Sequence, residues 1–161
     1  MTSRAPAAEP PERRLLFVDD ELGGETGIVR LLRRRGLSVL AASSFAGAAA
    51  LLDSAVALHG YLLDVNLGEA APLGGLALVV RAELRDPGAP IALLTGHDDP
   101  EYRRVAELSG ARFLVKGDLA PLEAFLDELA GTARAAGGGA ARPAARVRTA
   151  MMEVASRTAR A

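Results

Sequence analysis

Leu15-Leu16-Phe17-Val18-Asp19-Asp20-Glu21 puts four apolar residues in a row directly before three acids. An unbroken apolar run of this length is how a strand buried on both faces of a parallel sheet reads; a half-exposed strand would alternate. Three more runs follow the same plan: Tyr61-Leu62-Leu63 before Asp64, Ile91-Ala92-Leu93-Leu94 before Thr95, and Phe113-Leu114-Val115 before Lys116. Helix-length amphipathic stretches separate them, and such sheets bind ligands outside the carboxyl ends of their strands. One pocket should therefore collect the carboxylates of Asp19, Asp20 and Asp64, the Thr95 hydroxyl and the Lys116 ammonium. That set suits a cation together with a phosphoryl group, because clustered negative charge needs a metal and a phosphate needs ammonium and hydroxyl donors.

Worked outward, the pattern predicts strands near 14–18, 37–41, 60–64, 90–94 and 112–115. Helices are expected near 25–35 (closed by Gly36), 44–54 (opened by Ser43-Ser44), 76–85, 100–109 (closed by Gly110) and 121–134 (opened by Pro121). Residues 66–75, rich in Gly, Ala and Pro, read as a loop. Five strands alternating with five helices specify an α/β fold, an open parallel sheet wrapped on both faces. In the helix near 25–35, Ile28, Leu31, Leu32 and, loosely, Arg35 follow helical spacing, while Arg30, Arg33 and Arg34 turn to water as a solvated face.

The chain has 161 residues, enough for one domain with tails. It has no cysteine and only two histidines, His59 and His97, so any metal must be a hard, oxygen-liganded one. No apolar run approaches the roughly 20 residues a bilayer requires, and the N-terminus lacks a signal-peptide core, which makes the cytoplasm the expected location with no membrane partner. Residues 1–12 read as a disordered leader, 13–134 as the domain, and 135–161 as an Ala/Gly/Arg-rich basic tail. Within the tail, residues 144–160 have the makings of a short basic helix through Val147, Met151, Val154 and Ala155.

The net charge of −1 is unevenly spread. Residues 15–132 hold ten Lys/Arg against seventeen Asp/Glu, a net of −7, and residues 133–161 hold six Arg against one Glu, a net of +5. The acidic body argues against nucleic-acid binding, and the tail has no room for a DNA-reading module.

Taken together in order and spacing, Leu16-Phe17-Val18-Asp19-Asp20-Glu21, Leu62-Leu63-Asp64-Val65-Asn66-Leu67, Leu93-Leu94-Thr95-Gly96 and Phe113-Leu114-Val115-Lys116 resemble the receiver domain of two-component response regulators. The steps from Asp20 to Asp64, Thr95 and Lys116 are 44, 31 and 21 residues, similar to that family's spacing, and the resemblance covers residues 13–134. It implies a flavodoxin-like three-layer (βα)5 fold with a five-stranded parallel sheet in the order 2-1-3-4-5. It further implies that Asp64 is the phosphoacceptor for a histidine kinase. Asp20 would bind Mg²⁺ directly and Asp19 mainly through water, with Asp64 and the backbone carbonyl of Asn66 completing the protein's share. Lys116 and Thr95 would contact the phosphoryl group, and Thr95 and Phe113 would form the switch. Output would be a protein contact through helix 100–109, strand 112–115 and helix 121–134. On this reading the chain is a signalling module, not an enzyme beyond its own phosphorylation and dephosphorylation.

Alternatives within the family are a phosphorelay intermediate that passes its phosphoryl group to a histidine phosphotransfer protein, and a degenerate receiver that is never phosphorylated. A haloacid-dehalogenase-like phosphatase ranks last, since it needs an acid two residues after its nucleophile and Asn66 stands there. Two departures from the receiver pattern lie beside the site: Gly117 replaces the proline that usually follows the lysine, and Gly68 replaces one found four residues after the acceptor. The loop after Asn66 also reads about two residues longer than usual, and His97 sits where the family varies its dephosphorylation rate.

Overall fold

The computed structural model describes residues 12–22 and 27–132, with the isolated positions 148, 149, 152 and 156. The leader up to residue 11, residues 23–26 at the expected start of the first helix, and nearly all of the tail lie outside the described residues. The four tail positions that are described are helical.

The elements are β1 (Arg13–Val18), α1 (Gly27–Arg34), β2 (Leu37–Ala42), α2 (Phe45–Asp53), β3 (Gly60–Asp64), α3 (Gly74–Arg85), β4 (Ile91–Thr95), α4 (Pro100–Ser109), β5 (Arg112–Val115) and α5 (Leu119–Thr132). The five strands form one sheet in the order β2-β1-β3-β4-β5, and every pairing is parallel. Three of the four unbroken apolar runs are the central strands β1, β3 and β4, buried on both faces, whereas the fourth, Phe113-Leu114-Val115, lies in β5, which like β2 is a half-covered edge because no further strand pairs beyond it. Successive side chains alternate between two cores. Leu16, Val18, Tyr61, Leu63, Ile91 and Leu93 pack under α2, α3 and α4, whereas Leu15, Phe17, Leu62, Ala92, Leu94 and Leu114 pack under α1 and α5. The result is the expected three-layer sandwich.

Local signals explain most boundaries. Ser44 caps α2, its hydroxyl accepting from the Gly47 N–H, and Asp99 caps α4 by accepting from the Glu101 N–H, with Pro100 at the first helical position. Two helices start earlier than the sequence predicts. The helix expected at 121–134 opens at Leu119, so Pro121 sits inside the first turn, where N–H groups have no intrahelical acceptor and a missing one costs nothing. The helix expected at 76–85 opens at Gly74, converting the end of the 66–75 loop into its first turn. Glycines there read as breakers, but their role is close approach: a Cβ on Gly75 would stand 1.9 Å from the Asp64 carbonyl oxygen. α3 is thus pressed onto β3, held above by the Gly75 N–H on the Val65 carbonyl at 3.1 Å and below by the Tyr61 hydroxyl donating to its C-cap, Asp86.

The arginine-bearing helix α1 buries Val29 and Leu32 and exposes Arg30, Arg33 and Arg34, as the solvated-face reading requires. Arg35 departs from its loose place on the apolar stripe. It turns outward and bridges to Glu123 at 3.0 Å and Asp127 at 3.3 Å on α5.

Candidate functional site

Every polar residue expected at a strand end lies at the same edge of the sheet. Asp19 and Asp20 follow β1, Asp64 ends β3, Thr95 ends β4 and Lys116 follows β5. The order 2-1-3 sets β1 beside β3 at the point where chain direction across the sheet reverses, so Asp19 and Asp20 meet Asp64 although 44 residues separate Asp20 from Asp64. One carboxylate oxygen from each of the three acids lies within 4.8 Å of the others. Asp19 and Asp64 are buried and Asp20 is exposed, so the cluster is open to solvent on the Asp20 side.

Hydrogen bonds orient the two buried acids. Asp64 Oδ1 accepts from the Asn66 N–H at 3.1 Å and Asp19 Oδ1 from the Glu21 N–H at 2.9 Å, leaving the Oδ2 atoms turned towards a common centre. There the Lys116 ammonium lies 2.7 Å from Asp64 Oδ2 and 2.9 Å from Asp19 Oδ2. Glu21, which sequence reasoning left without a role, adds a fourth carboxylate 3.6 Å from the ammonium, though its side chain is exposed. Burial raises the Asp64 pKa above the ordinary carboxylate value, and the hydrogen bond and charge of Lys116 offset only part of that. For Lys116, burial pulls the pKa down but the hydrogen bonds to Asp64 and Asp19 outweigh it, and the ammonium is held more firmly protonated than usual.

The two loop glycines that stand where the receiver pattern has prolines have a structural reason. No cis peptide bond occurs among the described residues, and Gly117 turns the chain with φ of +94° while the Asp118 N–H bonds to the Val115 carbonyl at 3.1 Å. Its neighbour Lys116 is pinned by its own N–H on the Thr95 carbonyl at 2.7 Å, which joins the β4 and β5 ends of the site. Gly68 has φ of +80°, a conformation closed to proline.

The remaining expected residues fall as follows. Asn66 is exposed two residues beyond Asp64, in the loop leading to α3. Thr95 is buried, and its hydroxyl oxygen accepts from the His97 N–H at 3.2 Å, so the loop after β4 is folded back on the residue. Phe113 lies outside the acidic pocket, half-buried on β5, with the Arg103 guanidinium 4.6 Å above its ring centre. Sequence reasoning missed Gly75, whose absent side chain lets α3 lie against the Asp64 backbone.

As to chemistry, three oxygen donors within reach of one point suit a hard divalent cation, and three carboxylates around a single ammonium leave the pocket negatively charged. The fixed ammonium beside a carboxylate suits an incoming phosphoryl group.

No protein-family model matches the chain, and no curated protein matches it. Solved structures do. A response regulator receiver protein from Sinorhizobium medicae is 27% identical, with 75% of this chain and 96% of that one covered at a TM-score of 0.61. A response regulator protein from Burkholderia pseudomallei, solved with a phosphorylated aspartic acid, a calcium ion and citrate, is 26% identical over 76% of this chain and 73% of that one, TM-score 0.60. A receiver domain protein from Clostridium thermocellum is 22% identical over 76% and 97%, TM-score 0.64. The fold of this chain is that of response regulator receiver domains.

Proposed function

We propose that this chain works as a phosphorylation-driven receiver in two-component signalling, with Asp64 as the phosphoacceptor. The observation that carries the reading is the setting of Asp64: a buried carboxylate at the end of the central strand, one oxygen tied to the Asn66 N–H and the other to Lys116, with Asp19 and Asp20 alongside. An Asp64 oxygen attacks the phosphorus of a histidine kinase's phosphohistidine. The P–N bond breaks as the O–P bond forms, and the imidazole leaves with the electron pair and takes up a proton. Lys116 then shares its charge between the acyl phosphate and Asp19. Thr95 leaves the His97 N–H to donate its hydroxyl to a phosphoryl oxygen, which moves the loop after β4.

The pocket fits Mg²⁺. Asp19, Asp20 and Asp64, with the Asn66 carbonyl, would hold it, and when bound it would offset the charge of the acids and of the transferred group. The only catalysis in this account is on the chain itself, phosphoryl uptake and loss at Asp64. The signal would leave through the surface of α4, β5 and α5, where Phe113 lies, towards a partner protein in the cytoplasm. Among the described residues no helix is long and apolar enough to cross a membrane.

Presented with a panel of phosphorylated histidine kinases and Mg²⁺, the chain should take label from one kinase rapidly, and Asp64→Asn should take none. Steady turnover of small phosphomonoesters by the unaltered chain would instead favour a phosphatase.

A further inference from the structure

We propose that the groove between α4 and α5 is the seat of the chain's own basic C-terminal segment, residues 144–160. This inference does not depend on the chemistry of Asp64. The groove runs over edge strand β5, encloses about 380 Å³, and is lined by Arg103, Ala106 and Glu107 of α4, Phe113 of β5, and Pro121 and Phe125 of α5. Its floor is apolar, and its charges are unequal. Arg103 is paired with Asp98 at 2.5 Å, and Arg112, also on the wall, with Glu128 at 2.9 Å. Glu107 is exposed and its carboxylate has no cationic partner among the described residues, so the groove offers an uncompensated negative charge beside apolar surface.

The segment has the complementary character. Arg146, Arg148, Arg157 and Arg160 against the single acid Glu153 make it basic, on a body of net −7. Helical spacing gathers Val147, Met151, Val154 and Ala155 on one flank. Arg148, Thr149, Met152 and Ser156, the positions of this segment that are described, are helical and exposed; the same spacing puts Thr149, Met152 and Ser156 on the opposite flank and Arg148 at its border. The apolar flank is the one left to meet a surface.

Distance permits the contact. Pro121 and Phe125 lie only ~10–17 Å back along α5 from its end at Thr132, at 1.5 Å per residue. Nine residues of Gly/Ala-rich composition, 135–143, have a coil reach of ~16 Å, enough for the segment to return beside α5. Attraction between the arginines and Glu107 sets its place, and burial of Met151 and Val154 over Phe113 and Phe125 holds it there.

The chain has no cysteine, so engineered pairs report cleanly. Under mild oxidation at high dilution, full-length chain carrying Ala124→Cys on the groove wall and Met151→Cys should close an intramolecular disulfide. Closure should be about tenfold faster than for Ala50→Cys on α2 with Met151→Cys, because docking raises the local concentration of one thiol at the other. Glu107→Lys should slow closure severalfold, as should raising NaCl from about 0.05 M to about 0.5 M, which shortens the Debye length. Equal rates for the two pairs would overturn the proposal, as would closure indifferent to both Glu107→Lys and salt. Bridges formed only between molecules would overturn it too, giving the groove to a second copy.

Discussion

At the scale of single residues, Asp64 is under two opposed demands: a nucleophile must be ionised, and this one is buried. Desolvation wins, leaving the Asp64 pKa raised despite Lys116. A carboxyl group whose folded pKa lies above its unfolded one favours the fold while protonated and loses that contribution as pH rises through the folded pKa. Asp64→Asn should therefore melt higher than the unaltered chain at neutral pH in cation-free buffer, and the gap should close as pH falls through the raised Asp64 pKa towards 3.8, the ordinary value for Asp. Mg²⁺ should reverse the order, since a cation at about ten times its Kd adds ~1.4 kcal/mol only to the chain that binds it. Thermal melts across pH, with and without the cation, check both. Lys116→Ala leaves two buried acids without their counter-charge. With allowance for the lysine's partial exposure, it should cost ~1–3 kcal/mol in urea denaturation without cation. These pairings were legible in the sequence because each polar residue directly ends or follows an apolar run, which fixes its edge of the sheet. Glu21 was not, because an acid beyond the strand end can point anywhere.

Among the elements, α3 is the one whose position depends most on a single residue. Gly74-Gly75 reads as loop because glycine disfavours helices, yet the packing of α3 against the β3 backbone outweighs that preference, and sequence reasoning sees propensity before contact. A methyl group at Gly75 would strike main chain, which cannot rotate away, so Gly75→Ala should cost ~3 kcal/mol or more and lower labelling of Asp64 as well. Urea denaturation and a labelling time course test the two effects in one variant. α4 and β5 are joined more lightly. Arg103 lies over Phe113 and also pairs with Asp98 in the loop after β4, so it links the Thr95 loop to the edge strand. A double-mutant cycle of Arg103→Ala and Phe113→Leu should return a coupling of ~0.5–1 kcal/mol, as expected for an exposed cation–π contact. A coupling near zero would leave Arg103 with Asp98 alone.

For the whole molecule, the sheet order follows from the sequence because unbroken apolar runs separated by helices allow few right-handed parallel topologies, and the resemblance selects one. The placement of helix starts was less legible, since Pro121 and Gly74-Gly75 act through position within a turn and through packing. Both cores are closed by elements ending at Thr132, so a chain shortened after Arg134 should still fold and unfold cooperatively in urea and should label at Asp64 as before, losing only the modest stability and m-value that docking of the tail contributes. The claim on which the rest depends is that the acids at the sheet edge exist to let Asp64 accept a phosphoryl group. Reduction with borohydride converts an aspartyl phosphate to homoserine and marks the acceptor in a peptide map. After incubation with acetyl phosphate and Mg²⁺, homoserine should be found at position 64 alone and should vanish when EDTA is present. Homoserine at another acid, or at position 64 in equal yield with EDTA, would contradict the account.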